Sequence, residues 1–273
     1  MRICFSTLGC PDWTWDKILQ EAGQLGYDGI ELRGIEGEMH LPKARPFLRE
    51  NRQAAITQLK DLQLEISCLS TSAWFHDQAQ WRKQLDVAQE HIDLAAELQA
   101  PFVRVFGDRI PDPKEKGRVV SQIVSALQHL GEYAKDTGVR IVIETHGDFS
   151  RSSDLRAVLD EVPMPEIGAL WDMHHPYRFF GETPEETLKI LGDRIYHTHI
   201  KDSYMHNEAM QYCLLGEGDL PVKQCLSLLR SQDYQGWLSL EWEKRWHPEL
   251  AEPEVAFPHF IQVVKKMICE IGG

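Results

Sequence analysis

Four side chains able to hold a divalent cation stand at the ends of four successive short apolar runs. Glu144 closes RIVIE (140–144), Asp172 closes IGALWD (167–172), His199 lies at the end of IYHTHI (195–200), and Glu241 closes WLSLE (237–241). Three carboxylates and one imidazole form an oxygen-rich set with a single nitrogen. That set suits Mn2+, Mg2+, Co2+ or a loosely held Zn2+ better than a structural zinc site. Taken singly, an acid at such a position serves as a helix cap or salt-bridge partner as readily as a ligand. Four such groups side by side without a cation would gather several negative charges within a few Å, which is costly unless they protonate. His197 precedes His199 by two residues, and a period of two puts both on one strand face. The residues alone leave either imidazole as the ligand.

The elements that must position these groups form a repeated alternation of a short apolar run and a longer amphipathic stretch. Four earlier runs, ICFST (3–7), GIELR (29–33), EISCLS (65–70) and FVRVF (102–106), bring the expected strands to eight. Helices are expected at Trp15–Leu25, Ala44–Leu62, Gln80–Leu98, Lys116–Lys135, Ser153–Leu159, Pro184–Leu191, Pro221–Leu229 and Glu254–Ile268. Ser153 with Asp154, Thr183 before Pro184, and Asp219 ahead of Pro221 read as N-terminal cap signals. Strands separated by helices pair in parallel. Eight such units in 273 residues give about 34 residues each, the arithmetic of a (β/α)8 TIM barrel built as a single domain over 1–273. A doubly wound sheet would want a glycine-rich turn after its first strand, where this chain reads STLGCPDW. In a parallel barrel the active site forms at the C-terminal strand ends, where the four candidate ligands converge. The loops at 107–115 and 201–219 are the longest breaks and are expected to cover that end.

Composition narrows the function classes. Lys plus Arg number 29 against 42 Asp plus Glu, a net charge of −13, which argues against a surface that tracks nucleic-acid phosphates. Apolar residues make up 42 % of the chain, enough for a large core. No uninterrupted apolar run approaches the ~20 residues of a membrane helix. The opening MRICFSTLGC lacks the charged region and cleavage site of a signal peptide, so the mature chain is expected to begin at Met1. Six cysteines without a C-x-x-C pair point to a reduced, cytoplasmic setting, with Cys4 and Cys68 as buried fillers.

GYDGIEL (26–32), IETH (143–146), WDMHH (171–175), HTHIKD (197–202), LGEGD (215–219) and LSLEWE (238–243) together resemble the xylose isomerase-like TIM barrels. That family includes sugar isomerases and epimerases, inosose dehydratase and endonuclease IV. The resemblance implies that Glu144, Asp172, His199 and Glu241 bind one divalent metal ion, with His197 a packed layer residue. It also implies that His146 and His175 face the substrate or support the ligands. In the epimerase members two ligand glutamates exchange protons on opposite faces of the bound sugar. Glu144 and Glu241 are accordingly the expected acid/base pair for proton transfer next to a carbonyl, through an enediolate.

Departures from the family pattern bear on the reaction. Ser150 and Met205 stand where the ketose 3-epimerases carry a further glutamate and an arginine. The run after His199 is instead I-K-D, similar to the H-x-K-D of inosose dehydratase. Lys201 there would bind a hydroxyl or carbonyl, or protonate a departing hydroxide; its plainer reading is an ion pair with Asp202 or another acid. Metal-assisted dehydration is therefore the alternative reaction. An endonuclease IV-like nuclease is a remote third, since strands three and four end in LSTS (69–72) and VFGD (105–108) without its additional histidines. A metal-free binding protein is a fourth reading, opposed by the complete ligand set.

Trp13, Trp15, Trp74, Phe75, Trp242 and Trp246 follow strands on the expected site side, where aromatic faces stack on sugar C–H faces or simply pack. Arg104 and Arg245 are candidates for contact with a substrate carboxylate or phosphate, and LGEGDLP (215–221) for a phosphate turn opposed by its own two acids. The expected ligand is an unphosphorylated sugar or polyol-like keto compound, with no nucleic-acid or membrane partner. A homo-oligomer paired through helices or loops is compatible with the sequence.

Overall fold

The strands are β1 (Arg2–Ser6), β2 (Gly29–Leu32), β3 (Glu65–Trp74), β4 (Phe102–Phe106), β5 (Arg140–Glu144), β6 (Ile167–Asp172), β7 (Ile195–Ile200), β8 (Asp202–His206), β9 (Ala209–Cys213) and β10 (Trp237–Leu240). β1 to β7 and β10 pair in parallel and close into a barrel in which β10 joins β7 to β1. This is the expected (β/α)8 architecture, seen in a computed structural model that describes residues 1–272. Around it run α1 (Trp15–Leu25), α2 (Arg52–Asp61), α3 (Trp81–Leu98), α4 (Lys116–Ala134), α5 (Ser152–Asp160), α6 (His174–Phe180), α7 (Pro184–Leu191), α8 (Val222–Ser231) and α9 (Pro253–Gly272).

Strand periodicity sorts the residues into two environments. Outward positions such as Phe5, Ile30, Val103, Val105, Ile141, Ile143, Trp171 and Leu238 pack against the helices in the main core. Inward positions begin with an apolar plug of Cys4, Cys68, Phe102, Val142, Leu170 and Trp237. Above the plug the same faces carry buried polar groups: Glu31, Arg104, Glu144, Asp172, His197, His199, Ser239 and Glu241. Register levels them across strands, since Asp172 pairs with His199 and Ser239 also pairs with His199.

Several local expectations are corrected. The helix expected at Ala44–Leu62 starts only at Arg52, after 3-10 turns at Leu41–Lys43 and Arg45–Phe47 that contain Pro42 and Pro46. Proline lacks the amide donor and clashes with a continuing helix. The 201–219 loop holds the β8–β9 hairpin, turned by Asn207 and Glu208, both at positive φ (48° and 63°). The short α6 was unforeseen. It begins directly after β6, with its third residue, Pro176, in the first turn where proline is tolerated. Of the caps, Thr183 forms a full capping box with Glu186. Ser153 does not cap, because the helix starts one residue earlier with Arg151 as its N-cap. Asp219 pairs with Arg178 instead of capping α8.

Candidate active site

Glu144 at the end of β5, Asp172 at the end of β6, His199 in β7 and Glu241 just after β10 bring one ligand-capable atom each to within 4.8 Å of one another. His199 Nδ1 lies 3.2 Å from Glu241 Oε2 and 3.8 Å from Glu144 Oε1. Glu144 Oε2 and His199 Nδ1 are buried with no hydrogen-bond partner among the described residues, and Asp172 Oδ2 is held only by an ion pair with Lys201. Converging donors left unsatisfied in this way fit a divalent cation, because buried polar atoms otherwise find partners.

A carboxylate behind the imidazole sets its tautomer. Glu31, on β2, accepts from His199 Nε2 at 2.9 Å, so Nδ1 is the nitrogen turned toward the three acids, and it offers a lone pair to a cation on losing its proton. Glu31 also accepts from His197 Nε2 (2.8 Å), Ser70 Oγ (2.7 Å) and Ser239 Oγ (2.9 Å). With its lone pairs thus engaged, Glu31 supports a ligand rather than acting as one, although it clusters with both histidines. His197 is the buried layer residue expected, with a hydrogen-bonding duty added. Burial disfavours the His199 imidazolium, but Glu241 and Glu31 outweigh it and hold its pKa well above the ordinary value. Burial likewise opposes ionised Glu144, yet Arg104 and His199 bring it down to about 2 against repulsion from Glu241.

Lys201 is fully buried and its Nζ sits 2.7 Å from Asp172 Oδ2, 2.6 Å from Glu241 Oε2 and 2.8 Å from Glu243 Oε1. These acids, Asp172 first, overcome burial and keep it cationic. Its ion pairs are with the acids across the barrel mouth and not with Asp202. The Asp202 carboxylate instead accepts from the backbone N–H groups of Ser203, Gly216, Gly218 and Leu220 at 2.8, 2.8, 3.2 and 3.3 Å. The LGEGDLP turn thus has its converging donors filled by the chain's own carboxylate. A Cβ at Gly218 would collide with that carboxylate.

The remaining expected residues divide by location. His175 and His146 line a cavity of about 100 Å³ beside the four candidate ligands, as do Arg104 and Lys201. His175 Nδ1 donates to the Thr145 carbonyl at 2.8 Å, which leaves Nε2 as the acceptor nitrogen. His146 packs on Phe106, with ring centroids 4.6 Å apart, at the half-open rim. Of the aromatic residues singled out, Trp246 alone lines the cavity, and it is 53 % exposed. Trp13, Trp15, Phe75 and Trp242 are core residues, and Trp74 stacks on His76. Arg245 lies over the Trp246 ring, 5.4 Å from its centroid. Ser150 is buried against the Gly147 carbonyl, and Met205 is exposed on the hairpin.

Sequence reasoning passed over Glu31, Arg33 and Glu243. Arg33 and Glu243 line the cavity. The signal was present: Arg33 follows Glu31 by two residues, as Glu243 follows Glu241, and strand periodicity carries each pair to one face.

Fold and site together define a (β/α)8 barrel with a carboxylate–imidazole cluster at the C-terminal end of its strands, beside a small polar cavity. The chain belongs to the xylose isomerase-like TIM barrel family, whose model matches residues 19–265. It is similar to a fructoselysine 3-epimerase of Shigella flexneri, 24 % identical over 242 residues, covering 83 % of this chain and 84 % of that one. An inosose dehydratase of Mesomycoplasma hyopneumoniae is 27 % identical over 273 residues, covering 89 % and 85 %. Among solved structures, the IolI protein with a bound zinc atom superimposes with a TM-score of 0.83 at 16 % identity over 99 % of both chains. No helix among the described residues is long and apolar enough to cross a membrane.

Proposed function

We propose that this chain is a divalent-metal-dependent sugar isomerase or epimerase that moves a proton on the carbon next to a carbonyl. It is an enzyme of the sugar-modifying kind, as the epimerase and dehydratase relatives support. The observation that carries the reading is the convergence of Glu144, Asp172, His199 and Glu241, with Glu144 and Glu241 lining a small polar cavity and buried atoms of Glu144 and His199 left without hydrogen bonds. These four residues would hold the ion, which supplies Lewis acidity toward a carbonyl and its neighbouring hydroxyl. Closure of the barrel by β10 on β1 supports reading 1–273 as one domain.

The chain's own groups do the proton chemistry. Glu144 and Glu241 stand on β5 and after β10, separated around the ring by β6 and β7, so a substrate carbon between them presents opposite faces to the two carboxylates. Both are held ionised, Glu144 chiefly by Arg104 and Glu241 chiefly by His199 and Lys201, each against burial. An ionised carboxylate removes the proton on its own face; for isomerisation the same group returns it to the neighbouring carbon, and for epimerisation the opposite carboxylate delivers a proton that it has first taken from solvent. His175 Nε2 would accept from a substrate hydroxyl, and Lys201 Nζ would hold a substrate oxygen in exchange for one of its three carboxylate partners.

A second reading is dehydration, favoured by one observation: the Lys201 ammonium lies between Asp172 and Glu241, where it can protonate a departing hydroxyl. Incubating metal-loaded enzyme in D2O with ketoses and inososes separates the two. Exchange of a carbon-bound proton at unchanged molecular formula supports isomerisation or epimerisation; loss of water supports dehydration. Neither outcome across the panel would remove both.

A further inference from the structure

The cavity side formed by β2 and β4 carries two arginines whose donors the proposed proton chemistry does not fully use. Arg104 is 1 % exposed and Arg33, just after β2, is 7 % exposed; both line the cavity. Arg33 Nη1, Arg104 Nε and Arg104 Nη1 are buried without a hydrogen-bond partner. Arg104 Nε comes within 3.3 Å of Glu144 Oε2, but not in hydrogen-bonding geometry. Buried guanidinium donors without partners cost free energy, and two adjacent like charges add to it. Glu144 lies beside Arg104 and is itself a candidate cation ligand, while Glu241, Glu243 and Asp172 share Lys201, so no carboxylate of the chain fills the open guanidinium donors.

We propose that Arg33 and Arg104 form a subsite for a carboxylate of the substrate, so that the enzyme acts on keto or hydroxy sugar acids. This rests on the preceding reading for the reaction and adds the substrate class. Planar guanidinium forks match a carboxylate in bidentate geometry. The same forks would match a phosphate, but the small cavity favours the planar carboxylate, and the glycine turn that could add backbone donors, Gly216 to Leu220, is filled by Asp202. The cavity of about 100 Å³ accommodates a ligand of a few carbon atoms with its carboxylate against the arginines.

The test is calorimetric titration of metal-free protein with D-glycerate, glycerol and glycerol 1-phosphate. D-glycerate is expected to bind, at least tenfold more tightly than glycerol 1-phosphate, with no measurable heat from glycerol. Arg33→Met and Arg104→Met, checked for fold by circular dichroism, are each expected to weaken D-glycerate at least tenfold. Arg33→Lys and Arg104→Lys, which keep the charge but lose the fork, are expected to weaken it by a smaller factor and serve if the methionine variants do not fold. Equal binding of glycerol and D-glycerate, tighter binding of the phosphate ester, or wild-type affinity in the folded variants overturns the subsite. Because no metal is present, the subsite is tested apart from the reaction: D-glycerate binding through the arginines without turnover of any keto sugar would overturn the earlier reading alone.

Discussion

Glu31 offers the sharpest test of how the metal centre is built, because it touches no proposed substrate and is expected to act only through His199. Its buried carboxylate accepts from His197, His199, Ser70 and Ser239 at 2.8, 2.9, 2.7 and 2.9 Å. Glu31→Gln keeps the side-chain shape but turns an amide NH2 toward groups that themselves donate, so part of this set is broken. Loss of an outer partner of a ligand histidine costs about 10–100-fold in metal affinity, roughly 1.4–2.7 kcal/mol. In metal at a hundred times the wild-type Kd, a tenfold loss removes about 1.3 kcal/mol of binding stabilisation, or roughly 3–5 °C in Tm. The assay is Mn2+ titration by calorimetry, paired with melting curves in excess chelator and in metal. Ser239→Ala, which removes one of the four bonds, is the folded control and should weaken metal less than about threefold. Glu31→Gln protein that melts like wild type without metal and binds Mn2+ within twofold of it would refute the positioning role.

Three further outcomes are expected. Glu144→Gln and Glu241→Gln should each abolish turnover with the fold intact by circular dichroism; more than a few per cent of wild-type activity removes that residue from the acid/base pair. Lys201→Met leaves Asp172, Glu241 and Glu243 uncompensated and should cost about 3–5 kcal/mol in metal-free protein. Since Lys201 shares oxygens with the proposed cation, added Mn2+ should raise the variant's Tm more than that of wild type, and equal rises would refute the sharing. Asp202→Ala strips the acceptor from four backbone N–H groups and should destabilise by about 1–3 kcal/mol, with faster hydrogen exchange at Gly216, Gly218 and Leu220; unchanged protection there would contradict the role given to its carboxylate.

The barrel was legible because its signal is periodic and long. Apolar runs at β4, β5, β6 and β7 coincide with the strands residue for residue, since each is buried on its helix-facing side by unbroken branched and aromatic side chains. What stayed hidden depends on local backbone geometry or on chain neighbours far apart in sequence. Pro46 breaks an amphipathic stretch that reads as one helix from Ala44. The hairpin around Asn207 and Glu208 has too little apolar alternation to stand out from a loop.

The site was half legible for a related reason. Strand ends announce the four candidate ligands, but the groups that orient and balance them lie one pleat away. Glu31 is one such case: nothing in GIELR says that its glutamate will meet His197 and His199, more than 160 residues later, until β2 and β7 are placed across one barrel. The same period of two that pairs His197 with His199 also carries Glu31 to Arg33 and Glu241 to Glu243. Read inward from each strand end as well as at it, the sequence contains nearly the whole polar interior. The distinction between ligand and support then follows from hydrogen bonding: Glu31 has its oxygens engaged, whereas Glu144 and His199 each keep one atom without a hydrogen bond and Asp172 one held only by Lys201.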